Sequence, residues 1–319
     1  MEVHYELASS LPAFNKAVVT IGTFDGVHLG HKQIIAQLKE VAGAIGGETV
    51  IITFHPHPRK IISSVPGDVK LLTTLDEKIA LLETAGIDHL VVVPFDHVFA
   101  NQTAQQYVED FLYKYFKPHT IIIGYDHRFG KGRLGDYRLL EEYGKKLGFA
   151  VKEIPEQLLN EVAVSSTKIR HALIENDIDT ANNCLGYAYF FEGIVVEGNK
   201  LGRTIGYPTA NLHVSSEEKL IPGDGVYAVT VVNPDAAGMS ESPLQGMMNI
   251  GLRPTVDGKK RVIEVNIFDF DKDIYGQTLQ VHLHHYLRGE VKFNGLEELK
   301  AQLLKDKHLA QEKLTTYYL

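Results

Sequence analysis

The sequence predicts an α/β chain in two parts: a doubly wound parallel sheet, then an antiparallel β-barrel with a terminal helix. Three observations predict it. Through residues 16–176, short β-branched apolar runs alternate with stretches of helical period. From 189 to 287, strand-like runs follow one another, separated by Gly, Pro, Asn and Asp clusters, the pattern of a small antiparallel barrel. At 319 residues the chain has room for about two domains. The change of pattern near 182–188 divides it into 1–183 and 184–319.

KAVVTIGTF (16–24) is the first strand-like run. Ile34, Ile35, Leu38, Val41, Ala42 and Ile45 then recur at offsets 0, 1, 4, 7, 8 and 11, one face of a helix. TVIITF (49–54) is continuously apolar, as a strand buried on both faces should be. DEKIALLETAG (76–86) is a helix closed by Gly86, and HLVVVPF (89–95) is the next strand. TAQQYVEDFLYKYF (103–116) and DYRLLEEYGKKLG (136–148) are helical, whereas HTIIIG (119–124) and FAVKEIP (149–155) are extended. SSTKIRHALIEN (165–176) opens on hydroxyl residues, as N-capping favours. In the second part, 189–198, 225–233, 244–251, 261–270 and 277–287 read as strands and 296–314 as the closing helix.

Lys and Arg number 32 against 40 Asp and Glu, a formal charge of −8. The first part holds 18 basic and 23 acidic residues, the second 14 and 17. Neither part is basic, so no nucleic-acid partner is expected. No apolar run approaches the roughly 20 residues that cross a bilayer. MEVHYELASSLPAFNK has no basic flank leading into an apolar stretch, so neither a membrane partner nor a secretory leader is expected. Cys184 is the single cysteine. It permits no internal disulfide, fits a reducing cytoplasm, and reads as a small buried apolar residue.

GTFDGVHLGHKQ (22–33) is the strongest local signal. His28-Leu29-Gly30-His31 falls where the first strand hands over to the first helix. Such a turn offers backbone N–H groups and the positive helix end to an anion, and Gly30 lets a nucleotide approach the backbone. Two histidines three apart can face one phosphate and donate hydrogen bonds to charge developing in nucleotidyl transfer. The plain alternative is a pair of surface histidines. In VSSTKIR (164–170), Ser165, Ser166 and Thr167 open a helix, and Lys168 and Arg170 follow within a turn. That set suits a triphosphate, or serves only as an N-cap. GNKLGRTIGYPTANL (198–212) spaces Gly198, Gly202 and Gly206 four apart, with Arg203 between. Thr209 and Asn211, two apart on a strand, face one side, where their oxygens suit Mg²⁺ and phosphate. A glycine-rich hairpin is the alternative.

Together, GTFDGVHLGH, TFHPHP (53–58), LLTTLDEK (71–78), GYDHRFGKGRLGD (124–136) and VSSTKIR resemble the bacterial bifunctional riboflavin kinase/FAD synthetase (FMN adenylyltransferase) family. TFHPHP and GYDHRFG are the distinctive segments. GNKLGRTIGYPTANL, NIGLRPT (249–255) and IEVNIFDF (263–270) continue the resemblance in the family's order, over nearly all of residues 15–305. It implies a nucleotidyltransferase domain over 1–183 and a flavokinase barrel over 184–319. The implied reactions convert riboflavin and ATP to FMN and ADP, then FMN and ATP to FAD and pyrophosphate, with Mg²⁺ in both steps. By resemblance, His28 and His31 stabilise the transferring α-phosphoryl group. Gly22, Phe24, Gly30, Asp126 and Arg128 border the nucleotide, and Ser166, Thr167 and Arg170 hold its phosphates. His57 and Pro58 lie beside the flavin. In the barrel, Gly198, Lys200, Gly202 and Arg203 take ATP phosphates, Arg288 lies beside the flavin, and Glu264 is the general base for the ribityl 5′-hydroxyl. His127 is a departure, since the family usually has Phe there. Two rival readings are a chain with only one active half and a non-catalytic flavin or nucleotide sensor. No motif sets an oligomeric state.

Three patterns point elsewhere and are set aside. GKGRLG (130–135) fits Gly-x-Gly-x-x-Gly, but DHRF separates it from its strand. It reads as a mobile loop near the nucleotide rather than a dinucleotide fingerprint. No Gly-x₄-Gly-Lys-Ser/Thr occurs. His282, His284 and His285 sit in a strand, whose alternation splits them between faces, so a zinc site is not expected there.

Overall fold

The computed structural model describes residues 1–5, 7, 11–62, 70–154, 164–198, 201–233, 243–255 and 258–315. By contacts the chain divides into two units, Met1–Ser166 and Thr167–Leu319.

The first unit is built on six parallel strands: β1 (Glu2–His4), β2 (Val18–Ile21), β3 (Thr49–His55), β4 (His89–Pro94), β5 (Thr120–Gly124) and β6 (Ala150–Ile154). Their order is β1-β4-β3-β2-β5-β6. Helices α1 (Leu29–Ile45), α2 (Pro58–Ile62), α3 (Leu75–Thr84) and α4 (His97–Ala100) precede α5. Helix α5 runs through Ala104–Gln106, a π-helical stretch Tyr107–Tyr113 and Lys114–Phe116, and α6 spans Tyr137–Leu147. Successive strand residues point to opposite faces. Val19, Ile21, Ile52 and Ile121 therefore meet Phe111, Phe116 and Leu140 of α5 and α6. Val18, Ile51, Leu90 and Ile122 meet Leu38 of α1 and Leu82 of α3. Each such buried aliphatic side chain contributes about 1.5–3 kcal/mol, which is why these strands read as unbroken apolar runs. The chain winds from β2 outward to β3 and β4, then returns to β5 and β6 on the other side. The order thus reverses at β2, and the crevice beyond its carboxyl end is where such sheets hold ligands.

Strand β1 is absent from the sequence reading, as are α2 and α4. Elements of three to five residues are too short to display a period. In the second unit come α7 (Ser166–Ile174), whose first residue lies in the first unit, and α8 (Ile178–Leu185). Then follow β7 (Tyr189–Val196), α9 (Leu201–Thr204), β8 (Ala210–His213), β9 (Gly225–Val232), β10 (Leu244–Thr255), β11 (Gly258–Ile267), β12 (Thr278–Arg288) and α10 (Leu296–Thr315). The strands close a barrel in the order β10-β11-β8-β7-β12-β9, every pair antiparallel. Ala310 and Leu314 of α10 pack on Ala228, Met247 and Phe268. Because α8 packs against β7 and β12, it belongs with the barrel. The division by contacts therefore lies earlier than the change of pattern near 182–188.

Three half-buried imidazoles make stability depend on pH. Burial pushes the His127, His282 and His284 pKa values down to about 4. The unfolded chain protonates the same groups near 6.5. Between those values the unfolded state binds more protons, so stability is full above about pH 6.5 and declines as pH falls toward 4. Thermal melting should show Tm falling from pH 7.5 to 5.0, with a shallower fall in His282→Gln. A flat Tm over that range would contradict the account.

Candidate active sites

In the first unit the loop between β2 and α1 is strained and held by buried side chains. Phe24, Gly26 and Val27 have φ of 48, 81 and 36°. A β-branched residue there is an outlier that neighbours must enforce. Phe24, Asp25 and Val27 are at most 2% exposed. Asp25 Oδ1 accepts from the Leu72 and Thr73 backbone N–H groups at 2.9 and 3.1 Å. Thr73 Oγ1 accepts from Gly26 N–H at 3.1 Å. Thr53 donates to the Thr23 carbonyl at 3.1 Å, and Ser166 to the Asp25 carbonyl at 3.1 Å. The hydroxyl of Ser166, read as a phosphate ligand, is thus engaged by the loop itself.

His28 is the N-cap of α1, its Nδ1 accepting from His31 N–H at 3.4 Å. The two rings stack at 3.7 Å and 16°, and Phe24 lies 4.8 Å from His31. Gly30 makes this possible, because a Cβ there would stand 3.2 Å from the His28 ring. A Cβ on Gly22 would press on the Phe24 ring at the same distance. His31 Nδ1 is buried without a partner. Burial first, then His28 and the Lys78 ammonium, hold the His31 pKa well below the usual imidazole value. At neutral pH this ring is an uncharged hydrogen-bond donor or acceptor.

Lys78 escaped the sequence reading. It lies on α3 one turn from Leu75 and Leu82, and is itself buried. A lysine inside an apolar stripe was the signal. Its Nζ donates to Thr53 Oγ1 at 3.4 Å, and burial lowers its pKa to about 8 while Asp25 opposes the shift. Thr74 and Glu77 form a capping box that starts α3. LLTTLDEK is therefore the buttress of the β2–α1 loop.

Other predicted residues lie at the carboxyl edge of the same sheet. After β3, the His55–Pro56 peptide is cis. His57 is buried, its Nδ1 accepting from Arg59 N–H at 3.2 Å, and Pro58 takes the first position of α2, where its missing N–H costs nothing. After β5, Asp126 is exposed. Arg128 pairs with Asp136 at 3.0 Å, and Asp136 caps α6. His127 Nε2 is buried without a partner, 6.0 Å separating its ring from Phe129. An imidazole kept neutral by burial behaves there as a flat aromatic ring, which explains how it stands in place of Phe. The segment 130–135, expected to be a mobile loop, is tied down. A Cβ on Gly130 would strike the Ala104 backbone at 2.8 Å, Lys131 N–H donates to Gln102 at 2.7 Å, and Phe129 bridges Gly135. Thr167 lies in the first turn of α7 and Arg170 is its fifth residue, both in the second unit.

The barrel contains a cavity of about 250 Å³ lined by Thr209, Asn249, Arg253, Glu264 and Arg288 among others. Register builds it. Glu264 of β11 lies opposite Asn211 of β8 and Asn249 of β10, so three polar side chains form a row across three strands. Arg253, four residues further along the same face as Asn249, donates to Glu264 Oε2. Arg288 forks onto Asp306, Nε to Oδ1 at 2.9 Å and a terminal nitrogen to Oδ2 at 2.6 Å. Asp306 is buried on α10 in line with Ala310 and Leu314. That carboxylate within an apolar stripe was, like Lys78, a missed signal. Breaking such a buried pair costs about 3–5 kcal/mol, so Arg288 is held rigidly at the cavity wall.

Within the glycine-rich segment, Leu201–Thr204 forms one helical turn, α9. Gly202 lies under the Tyr207 carbonyl, where a Cβ would stand 2.2 Å away. Arg203 and Thr209 line a small adjoining cleft of about 60 Å³. A Cβ on Gly198 would stand 2.1 Å from Asn211 Nδ2, and one on Gly202 would lie 3.5 Å from Thr209 Oγ1. The glycines thus let the Asn211 and Thr209 side chains lie against the backbone, and the uncharged oxygens these two residues carry are donors that fit a hard cation such as Mg²⁺. Lys200 lies outside the described residues. His282, His284 and His285 bond separately to Gln280, Thr230 and Asp179.

Both halves of the chain match known families. Residues 11–168 match the FAD synthetase family, and residues 185–314 match riboflavin kinase. The Escherichia coli K12 bifunctional riboflavin kinase/FMN adenylyltransferase is 39% identical over 295 residues, 92% of each chain. Its Listeria monocytogenes counterpart is 40% identical over 91% of this chain and 90% of that one. A crystal structure from Streptococcus pneumoniae, described as a macrolide-efflux protein, matches with TM-score 0.86 and 29% identity, covering 97% of this chain and 98% of that one. Among the described residues no helix is long and apolar enough to cross a membrane. With both halves matched, in order and over nearly its whole length, the chain belongs to the family of bifunctional riboflavin kinase/FMN adenylyltransferases.

Proposed function

We propose that residues 184–319 phosphorylate riboflavin to FMN with release of ADP, and that residues 1–183 then adenylate FMN to FAD with release of pyrophosphate. The observation that carries this reading is the register that sets Glu264 opposite Asn211 and Asn249, with Glu264 and Asn249 lining the barrel cavity. It gives the second half its own acid–base apparatus, which disfavours a chain with one active half.

The two steps ask different things of their sites. A ribityl hydroxyl must lose a proton to attack phosphorus. The Glu264 carboxylate, oriented by Arg253, takes that proton as the oxygen bonds to the γ-phosphorus and the bond to ADP breaks. Thr209 and Asn211 would hold Mg²⁺, which when bound offsets phosphate charge. Gly198, Lys200, Gly202 and Arg203 bind ATP phosphates, and Arg288 borders the flavin. The FMN phosphate, by contrast, is largely ionised at pH 7, with a second pKa of about 6. It needs no base, so hydrogen-bond donors suffice. His28 and His31 donate to the charge that builds on the α-phosphoryl oxygens as pyrophosphate leaves. Gly22, Phe24 and Gly30 shape that pocket. Asp126, Arg128 and Ser166 position the nucleotide, and His57 and Pro58 lie along the flavin. The enzyme works in the cytoplasm, in keeping with its single cysteine.

The test is a time course with purified full chain, riboflavin, ATP and Mg²⁺, the flavins separated by chromatography. FMN should rise first and FAD follow, and FMN supplied alone with ATP should yield FAD and pyrophosphate. Only one of the two products, or flavin binding without ATP turnover, would overturn the reading.

A further inference from the structure

At the amino edge of the parallel sheet, opposite the edge that carries the β2–α1 loop, three metal-ligating side chains converge. Strand β1 pairs in parallel with β4, with Glu2 opposite His89. Glu2 and His4, two residues apart, share a face, so Glu2, His4 and His89 all project from one side. His4 Nε2 lies 3.3 Å from His89 Nδ1. Glu2 Oε2 stands 4.0 Å from the first and 3.7 Å from the second. Two ligands each about 2.0–2.1 Å from a tetrahedral zinc ion stand about 3.3–3.4 Å apart, so the imidazole spacing fits one shared ion. The carboxylate reaches the same spacing by a small rotation of an exposed side chain.

The surroundings resemble the support that metal histidines receive. The other nitrogen of His89, Nε2, faces Glu48 Oε2 at 3.6 Å. Glu48 is held in turn by the Asn15 backbone N–H at 2.7 Å. A carboxylate behind a ligating imidazole fixes its tautomer and raises its basicity. Phe14 packs edge-on against both rings, at 6.1 Å from His4 and 5.0 Å from His89. It walls the imidazoles on an apolar side while Glu2 stays open to solvent.

We propose that Glu2, His4 and His89 bind one divalent transition-metal ion of the zinc class, with Glu48 supporting His89, and that the ion clamps β1 to the sheet edge. Three protein ligands leave a fourth position for water. Nitrogen and oxygen donors on a borderline ion exclude the hard cation the phosphate chemistry uses. Without the ion the two imidazoles share a single N–H···N hydrogen bond.

The test uses the full chain with its native N-terminus and no polyhistidine tag, stripped with chelator. Titration with Zn²⁺ should show one equivalent bound and a rise in Tm, and Co²⁺ should give the intense visible absorption of a tetrahedral site. Glu2→Gln, at an exposed side chain that leaves folding intact, and His4→Gln should each weaken Zn²⁺ binding by ~10-fold or more, and Glu48→Gln by ~10–100-fold. His282→Gln should leave it unchanged. No saturable binding, or one equivalent whose affinity is the same in Glu2→Gln as in the parent, would overturn the proposal. The second outcome assigns the ion to other histidines. Should His4→Gln fail to fold, Glu2→Gln decides alone.

Discussion

His31→Ala is expected to slow conversion of FMN to FAD by about 10²–10³-fold, the cost of losing one preorganised donor to developing charge. Riboflavin should still become FMN at the parental rate. The ring is sandwiched between His28 and Phe24, and its Nδ1 has no protein partner. Truncation therefore leaves a small gap and no orphaned polar group, and the loss falls on chemistry rather than folding. His28→Ala should give the same product pattern with an added cap loss of about 1 kcal/mol. Chromatography of flavins after incubation with riboflavin and ATP would show FMN accumulating without FAD. FAD formation within a few-fold of the parent would remove His31 from the mechanism.

Glu264→Ala should produce the mirror image. FMN formation should fall by about 10²–10⁴-fold, the range for a general base, while added FMN still becomes FAD. Arg253, partly exposed, regains water in place of its partner, so the barrel should survive. Glu264→Gln separates two roles. It keeps the volume and an acceptor for Arg253 but cannot take a proton, so an equal loss identifies proton transfer and a mild loss identifies positioning. A folded Glu264→Ala protein lacking both activities would refute the two-site assignment.

What could be read from residues alone followed the range of the interactions. Local period made the parallel sheet and the barrel legible, and the expected strand-to-helix turn is where His28 and His31 lie. Sequence separation hid the rest. That Ser166 donates to the Asp25 carbonyl joins residues 141 apart, and no period encodes it. Arg253 meets Glu264 only because β10 and β11 pair with Asn249 opposite Glu264; a slip of one residue would turn them to opposite faces. Lys78 and Asp306 were readable in principle, since each interrupts a buried helical stripe with a charge. Such interruptions usually mark solvated positions, and only the compensating partners, Asp25 and Arg288, reveal otherwise. Glu264 itself emerged from family resemblance, because a lone acidic residue on an alternating strand looks like an outward-facing charge.

The barrel's last strand, β12, pairs with both β7 and β9. Until the ribosome has released Arg288, those two partners are raw sheet edges on a nascent chain. The amino-terminal sheet has all its strands once Ile154 has emerged. Biosynthesis thus asks one half to mature early and obliges the other to wait, its exposed hydrogen-bonding rims open to chaperones or to stray neighbours. A stop codon just upstream of β12 would leave that wait permanent.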